Sequence, residues 1–366
     1  MADLRQLADP AGYRRCDWDL ATDAAGRARW QALFRWHLDD VLIPLIQEEY
    51  APPAERLAAV RHDYLAAYAA LDGTTQPGGP LDIVVFTELR RAALRRYGFD
   101  DPFAGVKQRE NDTALRLLPD VLAELDGAAP AQRQELLVQG LMAGNIFDLG
   151  SAATIQRHRA GTTAFGHARA SQPARPWLID DVAAWWRRWS AAPAYRHVVF
   201  FVDNAGSDIV LGCVPLARWL VQAGARVTLA ANSAPALNDV TAAELVPLLE
   251  RCAALDGALQ AALTGGRLGV VATGSAVPLI DLAALSEEFV AASADADLLI
   301  LHGMGRAIES NFHARFTCDT LWSAVLKDEA VAARVGGKLF DCVFRFVPAE
   351  RSAAHGGTRT HGHASL

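Results

Sequence analysis

The sequence predicts an α/β protein in which a mostly parallel, doubly wound (Rossmann-like) sheet of about five or more strands follows a helical N-terminal domain. Two observations lead to this prediction. From about residue 195 onward, apolar segments of strand length alternate with segments of helical length, which is typical of a parallel sheet with right-handed crossovers. Before that point, apolar residues recur mainly at helical spacing. We therefore expect a helical domain over residues 1–190, an α/β domain over 191–350 and a disordered tail over 351–366.

The helical prediction for the N-terminal domain depends on periodicity. Residues 30–43 and 54–65 place apolar side chains at the spacing of one helix face. The same pattern returns in three later segments, over 115–125, 133–142 and 182–189. Between them, Thr-Thr-Gln-Pro-Gly-Gly-Pro at 74–80 predicts a loop. The apolar segment at 81–86 is too short to be assigned to a helix or a strand.

The α/β prediction depends on five strand candidates, at 197–202, 226–231, 267–273, 297–301 and 338–346. The first of them is continuously apolar over 198–202, which predicts a strand that is buried on both faces. Helices are expected between the strands, at about 208–222, 241–263, 279–293 and 311–333.

Composition argues against several classes of protein. Of the 366 residues, 51% are hydrophobic, and the net charge of −7 argues against a general nucleic-acid-binding protein. No apolar run reaches the ~18 residues of a membrane span, and the N-terminus lacks the apolar core of a signal peptide. The five cysteines are scattered without a CxxC pair, which fits a reducing compartment. We expect a cytoplasmic protein with no nucleic-acid or membrane partner, and we predict no oligomeric state.

Polar residues cluster where four of the predicted strands end. Asp203 and Asn204 follow the first strand, and residues 232–239 follow the second. Residues 273–275 follow the third strand, and residues 302–306 follow the fourth. Because the carboxyl ends of parallel strands meet at one edge of a sheet, we expect these clusters to converge there. That edge is where open α/β sheets bind ligands, so the sequence predicts an active site.

Three of these side chains, Asp203, Asn204 and Asp239, can each offer an oxygen to one divalent cation. Oxygen ligands suit a hard cation such as Mg²⁺ or Mn²⁺, and a site with three protein ligands leaves positions for water and substrate. An alternative interpretation of Asp203 is that it caps the helix that follows the strand.

The same edge carries groups that suit a phosphoryl ligand. Arg306 offers a planar guanidinium that matches two phosphoryl oxygens. Gly274, Gly303 and Gly305 allow a ligand to approach the backbone closely, although each glycine alone would indicate only a tight turn. A metal, an anion cradle and an arginine together predict phosphoryl chemistry.

Other designs that handle phosphate or hydrolyse esters lack their motifs in this sequence. No G-x-x-x-x-G-K-[ST] is present, and no G-x-G-x-x-G follows a predicted strand. An aspartyl-phosphate phosphatase would place D-x-D after its first strand, whereas Asp203 is followed by Asn-Ala. The G-x-S-x-G motif of serine hydrolases is also missing.

At these residues the chain resembles a known family. The shared segments include Asp203-Asn204-Ala-Gly206 and Gly303-Met-Gly-Arg306, together with segments at 107–119, 144–148, 231–241 and 273–275. They occur in the order of the metal-dependent damage-control phosphatases, the DUF89 group. The resemblance is greatest to the branch found as the 4′-phosphopantetheine phosphatase domain of pantothenate kinase 4.

The resemblance implies that Asp203, Asn204 and Asp239 are the metal ligands, with Mn²⁺, Co²⁺, Ni²⁺ or Mg²⁺ as the cation. It also implies that residues of the helical domain help to close the pocket, namely Glu110, Asn111, Asn145 and Asp148. From the sequence alone these four would be surface polar groups or helix caps. Residues at the sheet edge complete the expected substrate contacts, namely Asn232, Ser233, Ser275, His302, Gly303 and Gly305.

The resemblance implies a metal-dependent phosphomonoesterase for 4′-phosphopantetheine, its oxidised derivatives or a related small phosphometabolite. Asp203 would also orient or deprotonate the attacking water, and Arg306 would stabilise phosphoryl charge. A covalent aspartyl intermediate is the alternative to direct attack by water. His302 departs from the branch, which usually has Glu at this position, and this change bears on the choice of substrate or metal. Two alternatives stay open: a phosphometabolite-binding protein without catalysis, and a carboxyl methyltransferase.

Overall fold

The computed structural model describes residues 1–73, 80–146, 165–191 and 195–349. The predicted site residue Asp148, most of the loop predicted at 74–80 and the predicted disordered tail lie outside these residues. Within the described part of the chain, none of the helices combines the length and the apolar character needed to cross a membrane.

Seven strands form one mixed sheet in the order β4-β3-β2-β5-β6-β7-β1. All neighbouring pairs are parallel except β6 and β7, which are antiparallel. The strands are β1 Ile179–Asp180, β2 His197–Phe201, β3 Arg226–Ala231, β4 Leu268–Ala272, β5 Leu298–His302, β6 Asp319–Val325 and β7 Cys342–Val347. The predicted mostly parallel, doubly wound sheet is confirmed.

The strand order reverses between β2 and β5. After β2 the chain moves outward through β3 to β4, and then returns to the other side of β2 to form β5. The loops that follow β2 and β5 therefore leave the sheet in opposite directions and open a crevice between them, which is where doubly wound sheets bind ligands.

Thirteen α-helices lie in the described residues, and those before β1 confirm the predicted helical N-terminal region. The first six are α1 Ala24–His37, α2 Ile43–Tyr50, α3 Ala54–Ala69, α4 Ile83–Arg96, α5 Ala104–Gly127 and α6 Pro130–Asn145. The others are α7 Phe165–Ala170, α8 Val182–Ser190, α9 Val214–Gln222, α10 Ala242–Ala253, α11 Gly257–Thr264, α12 Glu287–Ala292 and α13 Glu329–Arg334.

Alternate residues of strand β2 face two different apolar cores. Val198 and Phe200 belong to the core that contains α5 to α11, whereas Val199 and Phe201 belong to the core that contains α1 to α4, α12 and α13. Since successive side chains of a strand point to opposite faces, helices cover both faces of the sheet. The N-terminal helices thus share a core with the sheet, and the domain boundary at residue 190 remains a prediction.

The helix predicted over 311–333 is wrong. Residues Asp319–Val325 form strand β6, and the helix α13 begins only at Glu329, where Asp328 caps it by accepting hydrogen bonds from the amides of Ala330 and Val331. All seven residues of β6 are buried. A strand buried on both faces has no alternation of polar and apolar residues, so periodicity alone could not separate it from a buried helix.

The bounds of other elements also differ from the predicted ones, in two helices because a capping residue interrupts the apolar pattern. The helix predicted over 241–263 is two helices, since Asp256 accepts a hydrogen bond from the amide of Leu259 and starts α11. The helix predicted over 279–293 shortens to α12, which begins after the Ser286 cap. The last strand begins at Cys342 rather than 338, and β1 was not predicted.

Two segments next to the crevice are π-helical. Asp208–Cys213 precedes α9, and Gly305–Glu309 follows β5. A π-helical turn carries an extra residue and often occurs at functional sites. The unassigned segment at 81–86 is the start of α4, with Asp82 as its capping residue.

Candidate active site at the carboxyl edge of the sheet

Backbone pairing brings the three predicted metal ligands together. The loops after β2 and β3 run antiparallel at Asn204 and Asp239. The amide of Val240 donates to the carbonyl of Asp203 at 3.0 Å, and the amide of Ala205 donates to the carbonyl of Asn238 at 2.9 Å. Two loops that are about 35 residues apart in the chain are thereby fixed side by side at the switch point.

Arg306 links the two carboxylates of this cluster. Its Nη1 donates to Oδ1 of Asp203, and its Nη2 donates to Oδ2 of Asp239 at 2.8 Å and to Oδ1 of Asn232 at 3.1 Å. Burial opposes the charge of Arg306, but Asp239 and Asp203 outweigh that effect and raise its pKa above the ordinary value. Arg306 is 1% exposed and faces the carboxylates.

The side-chain amide of Asn204 has its orientation set by two carboxylates. Its Nδ2 donates to Oδ2 of Asp203 at 2.8 Å and to Oδ2 of Asp208 at 3.0 Å. Its Oδ1 accepts no hydrogen bond from a described residue. Asn204, Asp203 and Asp239 line the same cleft, so together they offer side-chain oxygens of the kind that suits a hard divalent cation.

Asn145 supports the cluster from the end of α6. Its Nδ2 donates to Oδ2 of Asp203 and to Oδ2 of Asp208, both at 3.0 Å. The Nζ of Lys327 donates to the backbone oxygen of Asn145 at 3.0 Å and lies 3.9 Å from Oδ2 of Asp203. Sequence reasoning missed Asp208 and Lys327. Asp208 could have been found, because it is a polar residue directly before the apolar segment of the helix predicted over 208–222. Lys327 falls in the wrongly predicted helix.

His302 lies beneath the cluster and is fully buried. Its Nε2 is 2.8 Å from Oδ1 of Asp208, and its Nδ1 is 2.8 Å from Oγ of Ser323. Burial opposes the charge of Asp208, but His302 and the hydrogen bonds to this carboxylate outweigh burial and hold its pKa below the ordinary value. His302, predicted as a substrate contact, does not line the cleft described below.

A second set of potential metal ligands is formed by Asp208, Cys213 and His302, whose ligand atoms lie within 4.8 Å of one another. All three residues are buried, and none of them lines the cleft. Burial raises the pKa of the Cys213 thiol well above its ordinary value, which disfavours the thiolate that a metal would need. The cluster of Asp203, Asn204 and Asp239 is therefore the more accessible cation site.

Several predicted substrate contacts instead hold the loops of the site. Oδ1 of Asn111 accepts a hydrogen bond from the amide of Gly206 at 2.7 Å, and a Cβ at Gly206 would come within 2.8 Å of Cβ of Glu110. Both residues thus fix the loop after β2 against α5.

The loops after β3 and β4 are joined by the predicted serines and by Asn232. Oγ of Ser233 accepts from the amide of Gly274 at 2.7 Å, and Oγ of Ser275 donates to the carbonyl of Val277 at 3.2 Å. Nδ2 of Asn232 donates to Oδ2 of Asp239 at 3.0 Å. These contacts position the loops that carry Asp239.

A cleft opens over the cluster. Of the predicted site residues, those that line it are Asp203, Asn204, Asp239 and Gly305. The opposite wall comes from α1 and α4 and was not predicted in detail; it is formed by Trp30, Leu33, Phe34, His37, Ile83, Thr87 and Arg90. The helical region therefore does contribute a wall, as expected, but through residues different from those predicted.

The fold and the site define an α/β protein with an acidic, oxygen-rich ligand cleft at the switch point of its sheet. A family model described as a damage-control phosphatase ARMT1-like domain matches residues 27–343. The chain belongs to this family of damage-control phosphatases, as the motifs had predicted.

Individual relatives agree with this assignment. The damage-control phosphatase At2g17340 of Arabidopsis thaliana is 39% identical over 84% of this chain and 82% of its own length. The 4′-phosphopantetheine phosphatase of Mus musculus is 32% identical over 94% of this chain and 48% of its own length. Pantothenate kinase 2 of Arabidopsis thaliana is 36% identical over 93% of this chain and 41% of its own length. The chain thus spans less than half of the last two proteins.

The fold also occurs in a solved structure. A DUF89 family protein from Pyrococcus horikoshii has a TM-score of 0.61 to this chain at 16% sequence identity. The match covers 91% of this chain and 99% of that chain, so it includes both the helical region and the sheet.

Proposed function

We propose that the protein is a metal-dependent phosphomonoesterase that hydrolyses 4′-phosphopantetheine, its oxidised derivatives or a related small phosphometabolite. The observation that carries this proposal is the convergence of Asp203, Asn204 and Asp239 at the floor of the cleft. The similarity to the mouse 4′-phosphopantetheine phosphatase and to the Arabidopsis damage-control phosphatase supports the same reaction. The five free cysteines fit the reducing cytoplasm that we propose as its location.

In this proposal Asp203, Asn204 and Asp239 hold one divalent cation, namely Mn²⁺, Co²⁺, Ni²⁺ or Mg²⁺. A cation bound there supplies Lewis acidity toward the phosphoryl oxygens and activates water. Asp203 lines the cleft, and its carboxylate is the group that orients the attacking water or accepts its proton. Arg306 keeps the two carboxylates at a fixed separation and offsets their mutual repulsion.

A metal-by-substrate screen tests the proposal. Purified protein is treated with a chelator and assayed for phosphate release from p-nitrophenyl phosphate and 4′-phosphopantetheine, alone and with each of the four cations. We expect no turnover after chelation and recovery with at least one cation. Full turnover in the chelated sample would contradict the metal site. Binding without turnover would indicate the non-enzymatic alternative. Methyl transfer from an added methyl donor, without phosphate release, would indicate the methyltransferase.

Gly303 provides a test of how closely the backbone must approach Asp203. Its φ is +94°, and a Cβ at this position would collide with the Asp203 carboxylate. We expect Gly303→Ala to lower phosphatase kcat/KM at least about 10-fold, because displaced catalytic groups lose activity steeply. Gly336→Ala is the matched control, since Gly336 has φ +77° but nothing within 4 Å of the added atom.

The control separates backbone strain from the collision with Asp203. Gly336→Ala should lower the unfolding free energy by only ~1–2 kcal/mol, which is the cost of an alanine in the left-handed conformation, and should retain activity. Thermal unfolding and phosphate release are measured on both variants. Equal activities for Gly303→Ala and Gly336→Ala would show that the contact with Asp203 is unimportant.

A further inference from the structure

Arg90 differs from the other buried cations of the described chain. Lys107 pairs with Asp101 and Glu244, Arg218 pairs with Asp126 and Asp256, Arg306 pairs with Asp203 and Asp239, and Lys327 bonds to the carbonyl of Asn145. Arg90 is 7% exposed, yet its guanidinium makes no hydrogen bond or ion pair with a described residue. Its guanidinium carbon lies 5.1 Å from the centre of the Phe34 ring.

An arginine of this kind is costly to fold. Its guanidinium does not lose its proton in proteins, so burial leaves a charge that needs a counter-charge. Stacking on Phe34 supplies part of the compensation but satisfies none of the five N–H donors. Water or a ligand in the adjoining cavities can supply the acceptors that the described protein atoms do not.

Two cavities meet at Arg90. The first is the cleft that contains Asp203 and Asp239, and the second is a smaller cavity bounded by α4, by the segment before α5 and by the loops after β3 and β4. Both cavities share Thr87, Arg90, Leu237 and Pro278 in their linings. The guanidinium therefore borders the same cleft as the carboxylate cluster.

The cleft side of this junction is acidic, with Glu309 and Asp328 beside the carboxylate cluster, whereas three arginines and two aspartates line the second cavity. The acidic residues of the second cavity are already engaged, since Asp100 lies 3.2 Å from Arg95 and Asp101 lies 2.7 Å from Lys107. In the cleft, Asp328 pairs with Arg29 and caps α13. Arg91 lines the second cavity as well, so the positive charge at this junction lies on the side of the second cavity.

We propose that Arg90 is a specificity-determining residue that binds a second oxoanion of the substrate, separate from the phosphoryl group at the metal cluster. The inference rests on the proposed function and narrows it to phosphomonoesters that carry a distal anionic group. The guanidinium fork matches a carboxylate or a phosphonate through two parallel hydrogen bonds. The cleft that borders both anion sites is also lined by Trp30, Leu33 and Leu279, and such apolar walls suit an uncharged linker.

The test uses alkyl phosphate monoesters of increasing chain length that end in a carboxylate, a phosphonate or, as the matched neutral group, an alcohol. At the preferred length, we expect the wild-type protein to show a kcat/KM for the carboxylate or phosphonate at least about 10-fold above that for the alcohol, mainly through KM. Arg90→Met should remove this ratio, and Arg90→Lys should keep part of it. The carboxylate and phosphonate series distinguish a planar from a tetrahedral anion.

Arg218→Met is the control for loss of a buried arginine. It removes a paired guanidinium that lies outside the cleft lining, so it should lower the melting temperature while keeping the anion-to-alcohol ratio. Arg90→Met should instead melt at or above the wild-type temperature, because it removes an uncompensated charge. A ratio that survives Arg90→Met, or a wild-type protein without the ratio, would overturn the proposal.

Binding measurements separate this proposal from the proposed function. The same compounds are titrated calorimetrically into wild-type protein and Arg90→Met. Arg90-dependent binding without phosphate release would leave the anion site standing and refute the phosphatase. Phosphate release that depends neither on Arg90 nor on the terminal group would support the phosphatase and refute the anion site. Failure of every compound to bind would refute the anion site.

Discussion

Replacing Asp203 with Asn is expected to lower metal-dependent kcat/KM at least about 100-fold with every cation. The substitution keeps the size of the side chain but removes the charge that a divalent ion requires. It also places an NH₂ group where the carboxylate accepts hydrogen bonds from Arg306, Asn145 and Asn204, so donors would meet donors. The measurements are phosphate release and the rise in melting temperature on addition of cation, both of which should be lost.

Asp120→Asn is the matched control for this variant. Asp120 is exposed on α5 and lies outside the cleft lining, so its substitution should change neither activity nor the cation-induced rise in melting temperature. If the Asp203→Asn variant keeps kcat/KM within threefold of wild type, the role assigned to Asp203 is refuted. A folded variant that has lost activity but keeps the cation-induced shift would place the cation elsewhere.

Replacing Arg306 with Met is expected to cost about 3–5 kcal/mol of unfolding free energy, because it removes the cation that bonds to two buried carboxylates. Asp203 and Asp239 are both nearly fully buried and both bond to this one guanidinium. A cation bound to the same carboxylates would replace part of the lost charge. The increase in melting temperature on addition of Mn²⁺ should therefore be larger for Arg306→Met than for wild type.

Arg218→Met tests whether this rescue is specific. Arg218 also links two carboxylates, those of Asp126 and Asp256, but it lies outside the cleft lining. Arg218→Met should be destabilised with an unchanged cation-induced shift, and Arg306→Lys provides a folded variant that retains the positive charge. Chemical unfolding of all three variants, with and without Mn²⁺, gives the comparison. Equal cation shifts in Arg306→Met and Arg218→Met would contradict the proposed counter-charge role.

The sheet edge could be predicted because its signals are local. Each parallel strand is a short apolar run, and the polar residues that follow it are adjacent in sequence, so Asp203, Asn204 and Asp239 could be grouped by topology alone. The structure places them together through the pairing of Asn204 with Asp239, which strand positions could only suggest. The strand β6 escaped prediction because a fully buried strand carries no periodicity.

The cleft wall could not be predicted because it depends on tertiary placement. Trp30, Phe34 and Arg90 lie on amphipathic helices, where an aromatic residue indicates only core and an arginine indicates only surface. Nothing in the sequence shows that α1 and α4 cover the face of β2 that carries Val199 and Phe201. The missing partner of Arg90 is likewise visible only when its neighbours are in place.

The layer of N-terminal helices over one face of the sheet has a consequence for how this protein responds to its ligands. Residues from the first hundred positions and from the last forty described ones border the same cavity, so a molecule held there links the two ends of the polypeptide. Occupancy of the cavity and global unfolding are then one coupled equilibrium. Substitutions that destabilise distant helices should accordingly weaken the binding of small molecules before they produce a measurable change in cooperative thermal unfolding.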